Sequence, residues 1–202
     1  MFNKGDWIDI LRQKLPGEEA QLRMSPSFRG EFNEQKDPVE AAVLALFYVS
    51  KGNTYLVFIK RNEYDGPHSA QVSFPGGARE PVDKALEETA LRETREEMGI
   101  KGRIEILGAL TPLHIPVSNF MVYPYVGWIK EAPLFRPDPT EVQYVIEAPL
   151  STLLDPGNIR SETLKHHGQS MEVPFYMVRN EKIWGATAMM LSEILQLAAV
   201  LQ

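Results

Sequence analysis

Residues 74–100 constrain the fold more than any other stretch. They read Phe74-Pro-Gly-Gly77, a short polar loop, then Lys84-Ala-Leu-Glu-Glu-Thr-Ala-Leu-Arg-Glu-Thr-Arg-Glu-Glu-Met98 and a closing Gly99-Ile100. Gly76 and Gly77 lack a Cβ and can take positive φ, so they suit a tight turn where backbone must approach a ligand closely. The Ala, Leu, Glu and Arg of 84–98 predict a helix, with Asp83 as its N-cap and Gly99 as a left-handed stop. At about 100° per residue, Leu86, Ala90, Leu91, Thr94 and Met98 fall into one apolar arc. Glu93, Glu96 and Glu97 crowd the margin of that arc, because spacings of three and four return to the same side of a helix. A merely solvated acidic face would lie opposite the apolar arc. Three like charges on a half-buried flank repel one another and call for a cation. All-oxygen ligands of this kind suit Mg²⁺ or Mn²⁺ and not zinc.

The remaining chain alternates strand and helix patterns, an α/β composition. Trp7, Leu11 and Leu15 predict a short amphipathic helix ended by Pro16-Gly17, and residues 18–38 read as an irregular arm, so 1–37 is separated from a domain over 38–202. Ala41–Tyr48 and Tyr55–Ile59 flank Lys51-Gly52-Asn53 and predict a β-hairpin. Arg103–Leu110 predicts a strand, Thr111–Asn119 a loop set by its prolines, and Met121–Ile129 a strand placed at an edge or bulge by Pro124. An acidic stretch at 138–141 leads into an apolar one, 153–169 reads as a polar connector, and Met171–Val178 as a strand. The final helix, Ala186–Leu201, is apolar on most sides, which predicts a second subunit over one face and hence a homodimer.

Composition narrows the function. A net charge of −6 argues against coating nucleic acid, which needs many Lys and Arg on phosphates, yet allows an anionic substrate bridged by cations. With no cysteine, the chain has no disulfide framework, cysteine nucleophile or thiolate zinc site. It contains neither an apolar run of about 18 residues nor a signal-peptide core, so the expectation is a cytoplasmic protein without membrane contact.

Arg92-Glu-x-x-Glu-Glu-x-Gly-Ile100, with Gly77 upstream, resembles the signature of the Nudix hydrolases. That resemblance implies an α/β/α sandwich with a mixed β-sheet, and hydrolysis of a nucleoside diphosphate linked to another group by divalent metal on the helix glutamates. Fourteen residues separate Gly77 from Arg92, one more than the common pattern, and Asp83 stands where a first glutamate is expected. Lys60-Arg61, then His68-x-x-Gln71-Val72-x-Phe74-Pro75-Gly76-Gly77, is similar to the segment before the signature in coenzyme A pyrophosphatases. Trp184-Gly-x-Thr-Ala188 resembles their C-terminal region. Where members of that branch carry an arginine before the histidine, this chain has Gly66-Pro67.

The resemblance and the residue types together assign Glu93, Glu96 and Glu97 to the metal, Mg²⁺ or Mn²⁺. Glu97 or Glu141 takes the proton, and Arg92 orients the glutamates through Glu96 and Glu88. Arg61 offers a guanidinium fork for phosphate, His68 and Gln71 offer neutral donors, Gly76 and Gly77 the turn, and Ser118 a contact to base or ribose. The implied reaction splits coenzyme A or its acyl derivatives to 3′,5′-ADP and (acyl-)phosphopantetheine. Alternatives are a Nudix pyrophosphatase for ADP-ribose, NADH or dinucleoside polyphosphates, and a non-catalytic Nudix sensor of nucleotides.

Overall fold

The computed structural model describes residues 2–27, 37–65, 68–166 and 169–201. Gly66-Pro67, His167 and much of the arm at 28–36 lie outside them.

Strand β1 (Val39–Ser50) is the spine of the fold. Its sequence is apolar without interruption, the pattern of a strand covered on both faces. Ala42, Leu44, Leu46 and Tyr48 face one layer, while Ala41, Ala45 and Phe47 face the other. Strand β2 (Asn53–Arg61) splits likewise, Val57 and Ile59 against Leu56 and Phe58. Helix α3 (Leu86–Met98) covers the first face through Ala90 and Met98. Helix α5 (Gly185–Val200) covers the second, together with α1 (Lys4–Leu11) and its Trp7. A fully buried leucine such as Leu44 contributes about 2 kcal/mol on this account.

Strands β1 and β2 pair for four residues next to their turn and then diverge. The gap between them is filled by β3 (Val72–Ser73) on β2 and β4 (Gly76–Ala78) on β1. This wedge carries the glycine turn directly to α3. Beyond β1 the sheet continues with β7 (Phe120–Ile129), parallel to it, and then β5 (Ile104–Ala109) and β6 (Leu113–Ile115), both antiparallel to β7. Strand β8 (Val142–Pro149) closes the far side on β2 and runs into the short helix α4 (Leu150–Leu153). Among the described residues this makes a mixed sheet of eight strands. A separate antiparallel sheet joins β9 (Ile159–His166), β10 (Gln169–Val178) and β11 (Glu181–Trp184). No helix of the described residues is long and apolar enough to cross a membrane.

Several expectations are corrected. Helix α3 starts at Leu86, not Lys84, and Ala85 caps it without a side-chain bond. Asp83 points elsewhere because Arg92 and Thr89 bind its carboxylate. The first helix stops at Leu11, and a second, α2 (Glu18–Leu22), lies in the stretch expected to be irregular. Strand β6 forms inside the expected loop 111–119, and β9 inside the polar connector. Residues 159–166 pair with β10 through the backbone, which needs no apolar sequence. Strand β7 is flanked on both sides and is no edge strand. It tolerates Pro124 because the Pro124 carbonyl faces the break between β5 and β6, accepting from the Leu110 amide at 2.8 Å. The missing N–H falls at the same break. Finally, the surplus apolar surface of α5 is covered within the chain: residues 187–195 are all buried. A second subunit is not needed to cover that helix.

Candidate active site

A cavity of about 890 Å³ opens where α3, the wedge and α5 approach one another. Its acidic wall is built by the wedge. Gly76 has φ +153°, and a Cβ there would stand 2.3 Å from the Ala42 carbonyl oxygen; one on Gly77 would stand 2.6 Å from the Glu93 carboxyl carbon. Only glycine fits at Gly76, which faces fixed backbone, whereas at Gly77 an added methyl would push the Glu93 carboxylate aside. The space at Gly77 is taken by a protein carboxylate and that at Gly76 by strand β1, so neither is kept free for a ligand to approach the backbone. Glu93 packs over Gly77, and the Gly76 amide donates to Glu97 Oε2 at 2.8 Å.

Glu97 is 1% exposed yet borders the cavity. Its other oxygen receives Arg61 Nη2 at 3.2 Å. Burial pushes its carboxyl up to about 7, against the pull of Arg61 and the Gly76 amide, and Glu93 and Glu141 push the same way. Glu93 is also raised, by burial first, although Arg92 draws it down. Glu141 stands just before β8, exposed at the cavity rim, so three acids converge on one region from α3 and the β8 approach.

Arg92 holds this wall from behind. Its guanidinium reaches Asp83 Oδ2 at 2.9 Å, Glu93 Oε1 at 2.8 Å, Glu96 Oε2 at 3.0 Å and the Ala78 carbonyl at 3.2 Å. Asp83 is almost fully buried and also accepts from Thr89 Oγ1 and the Glu80 amide, so Arg92 holds its carboxyl far below the usual range. The expected Arg92–Glu88 pair does not form, since Glu88 instead accepts from the Lys84 amide at 2.8 Å. Asp83 is the partner that sequence reasoning missed; its place one residue before the predicted helix disguised it as a cap.

Of the site residues expected, Arg61, His68, Gln71, Gly76, Gly77, Glu93, Glu97 and Glu141 line the cavity. Ser118 joins indirectly: His68 Nε2 lies 3.2 Å from Ser118 Oγ and Nδ1 3.2 Å from Gln71 Oε1, which ties two loops together across the rim. Glu96 stands apart, its side chain 60% exposed behind Arg92. Arg61 is engaged by the protein, donating to the Gly76 carbonyl at 2.8 Å and Ser73 Oγ at 3.2 Å and forming an ion pair with Glu97. Among the described residues no three His, Asp or Glu side chains are already gathered around one point as a metal cage. The donors nevertheless fit a hard cation. Glu97 keeps acceptor capacity beyond its two contacts, and the charge of Glu141 helps to raise both Glu93 and Glu97, an excess of negative charge that Arg61 covers only in part.

The opposite wall is apolar and was not anticipated. Met171, Trp184, Met189 and Met190 form it, with Ile115 from the end of β6 and Val117 from the loop after it. The methionines signalled it in the sequence, but helical periodicity alone cannot tell a cavity wall from core.

A carboxylate-bearing helix set against a glycine wedge in a mixed sheet, over a cavity of this size, defines a hydrolase-type site for phosphate esters or anhydrides. The chain belongs to the Nudix family and is a pyrophosphatase of that type: the NUDIX domain model matches residues 38–166. It is 34% identical over 197 residues to the uncharacterized Nudix hydrolase NudL of Photorhabdus laumondii, covering 97% of this chain and 98% of that protein. The protein of the same description from Pectobacterium atrosepticum is 32% identical over 86% of this chain and 88% of its own. Solved structures agree on the fold. A MutT protein from Methanosarcina mazei superposes with TM-score 0.54 at 15% identity, over 83% of this chain and 99% of that one. A MutT/nudix family protein from Enterococcus faecalis does so with TM-score 0.52 at 17% identity, over 98% and 75%.

Proposed function

We propose that this Nudix hydrolase cleaves the pyrophosphate of coenzyme A or its acyl derivatives, releasing 3′,5′-ADP and (acyl-)phosphopantetheine, with Mg²⁺ or Mn²⁺ as cofactor. The observation that carries the reading is the two-sided cavity. An acidic wall suited to a cation-bridged diphosphate faces an apolar wall suited to a flexible, weakly polar arm. Met171, Met189 and Met190 adapt to such an arm better than to a planar base, because unbranched thioethers repack at little cost. The resemblance of 60–77 to coenzyme A pyrophosphatases points the same way.

Glu93 and Glu97, with Glu96 and Glu141 at the margin, would hold the ion. A bound divalent cation supplies neutralisation of diphosphate oxygens and a more acidic water. The chain's own groups do the rest. Glu97 or Glu141 accepts the proton of the attacking water, and Arg92 and Asp83 keep Glu93 oriented. The Gly76 amide and Arg61 fix the Glu97 carboxylate at the diphosphate end. The apolar wall keeps bulk water from the substrate arm.

Parallel assays of coenzyme A, an acyl derivative and ADP-ribose with each metal test the proposal. Release of 3′,5′-ADP at a higher kcat/KM than ADP-ribose cleavage is expected; preference for ADP-ribose would overturn the substrate assignment.

A further inference from the structure

The apolar helix α5 carries a single charged residue, Glu193, and it is 0% exposed. A buried carboxylate needs donors for about four lone-pair sites. Glu193 has all four. Oε1 accepts from the Gly17 amide at 3.1 Å and Thr111 Oγ1 at 2.7 Å, and Oε2 from Gln21 Nε2 at 3.1 Å and the Thr111 amide at 3.3 Å. The donors come from two segments distant in sequence. Gln21 Nε2 also donates to the Thr111 carbonyl at 2.8 Å, so the segments are locked to each other as well as to the helix.

Each tethered segment reaches the cavity a few residues further on. Past Gln21 the chain comes to Pro26 at the cavity, where Ser27 exchanges hydrogen bonds of 3.0 Å with Glu172, next to cavity-lining Met171. Past Thr111 come His114, Ile115 and Val117. One turn before Glu193 on α5 are Met189 and Met190. We propose that Glu193 is a positioning residue for the substrate site: its carboxylate sets three walls of the apolar half of the cavity against one another, which makes the N-terminal segment part of that site. The inference rests on the reading that this cavity receives the substrate.

Neutral isosteric replacement reverses half the contacts. In Glu193→Gln one oxygen becomes an NH₂ facing two donors, and the tethers on that side open. The test combines hydrogen–deuterium exchange and steady-state kinetics on the full-length protein, with coenzyme A and ADP-ribose as separate substrates. Amides of 111–119 and 17–24 are expected to exchange about tenfold faster than in the wild type, while α3 keeps its protection. For the preferred substrate KM should rise about tenfold and kcat change less than about threefold, the signature of lost binding geometry with intact chemistry. Unchanged exchange at 111–119, or a lower melting temperature with unchanged KM, would reduce Glu193 to a purely structural role. Thr111→Val removes one hydroxyl donor and leaves the carboxylate, so it carries the same comparison at smaller amplitude if Glu193→Gln fails to fold. If the wild type turns over neither nucleotide, the proposed function fails, and the exchange data alone decide the tether.

Discussion

Two glutamates are buried on opposite sides of the cavity, and they are buried for opposite reasons. Glu193 accepts four neutral donors, two on each oxygen, and the site around it is complete. Glu97 accepts one amide, pairs with one guanidinium, stands within reach of Glu93 and Glu141, and has acceptor capacity left where it borders the cavity. Burial without full satisfaction costs free energy, and a fold tolerates it where a ligand later completes the set. The contrast separates a residue that serves architecture from one poised for chemistry, although each lies on a helix and neither is solvated.

The sharpest way to break this comparison is Glu97→Gln. Its expected effect is a loss of about a thousandfold or more in kcat, some 4 kcal/mol of transition-state stabilisation, with no loss of stability, because an isosteric amide also relieves the acidic crowding. Near-normal turnover in a kinetic assay would put Glu97 on the same footing as Glu193. The converse variant, Glu193→Ala, leaves four donors without an acceptor and should cost about 3 kcal/mol of unfolding free energy, read from urea denaturation. A change within about 0.5 kcal/mol would mean that the tether is slack.

Asp83 tests the brace behind the acidic wall. Asp83→Asn should destabilise by about 2 kcal/mol at neutral pH through the weakened pair with Arg92. Since Arg92 depresses the Asp83 carboxyl in the folded state, its stabilisation is present above the ordinary aspartate value near 3.9 and fades as pH falls through the folded value. The stability gap between wild type and variant should therefore close in acid; a gap independent of pH would assign the loss to packing. The smallest effect is expected of Gly77→Ala. The added methyl displaces the Glu93 carboxylate, which should lower kcat about tenfold and leave the melting temperature within about 3 °C.

The hairpin, the signature helix and its left-handed Gly99 were legible because each obeys a local rule of periodicity or turn chemistry. Strand β9 was not: its residues are polar, and its pairing with β10 is a backbone matter. Nor was the central place of β7, since the register that excuses Pro124 depends on where two other strands end. At the site, spacing grouped Glu93, Glu96 and Glu97 and placed Glu97 almost between Leu86 and Ala90, but how deeply each is buried depends on what packs against the helix. The fold turned Glu97 inward and left Glu96 in solvent.

By itself the sequence determined which helix bears the carboxylates, which glycines precede it and which family the chain belongs to, all consequences of short-range order along the chain. Only the tertiary structure decided that Asp83 braces Arg92, that α5 is covered by its own chain, and that Glu193 joins residues 17, 21 and 111. Those contacts pair groups as many as 176 residues apart. Their free energy comes from burial and donor matching in three dimensions, for which no linear pattern stands proxy.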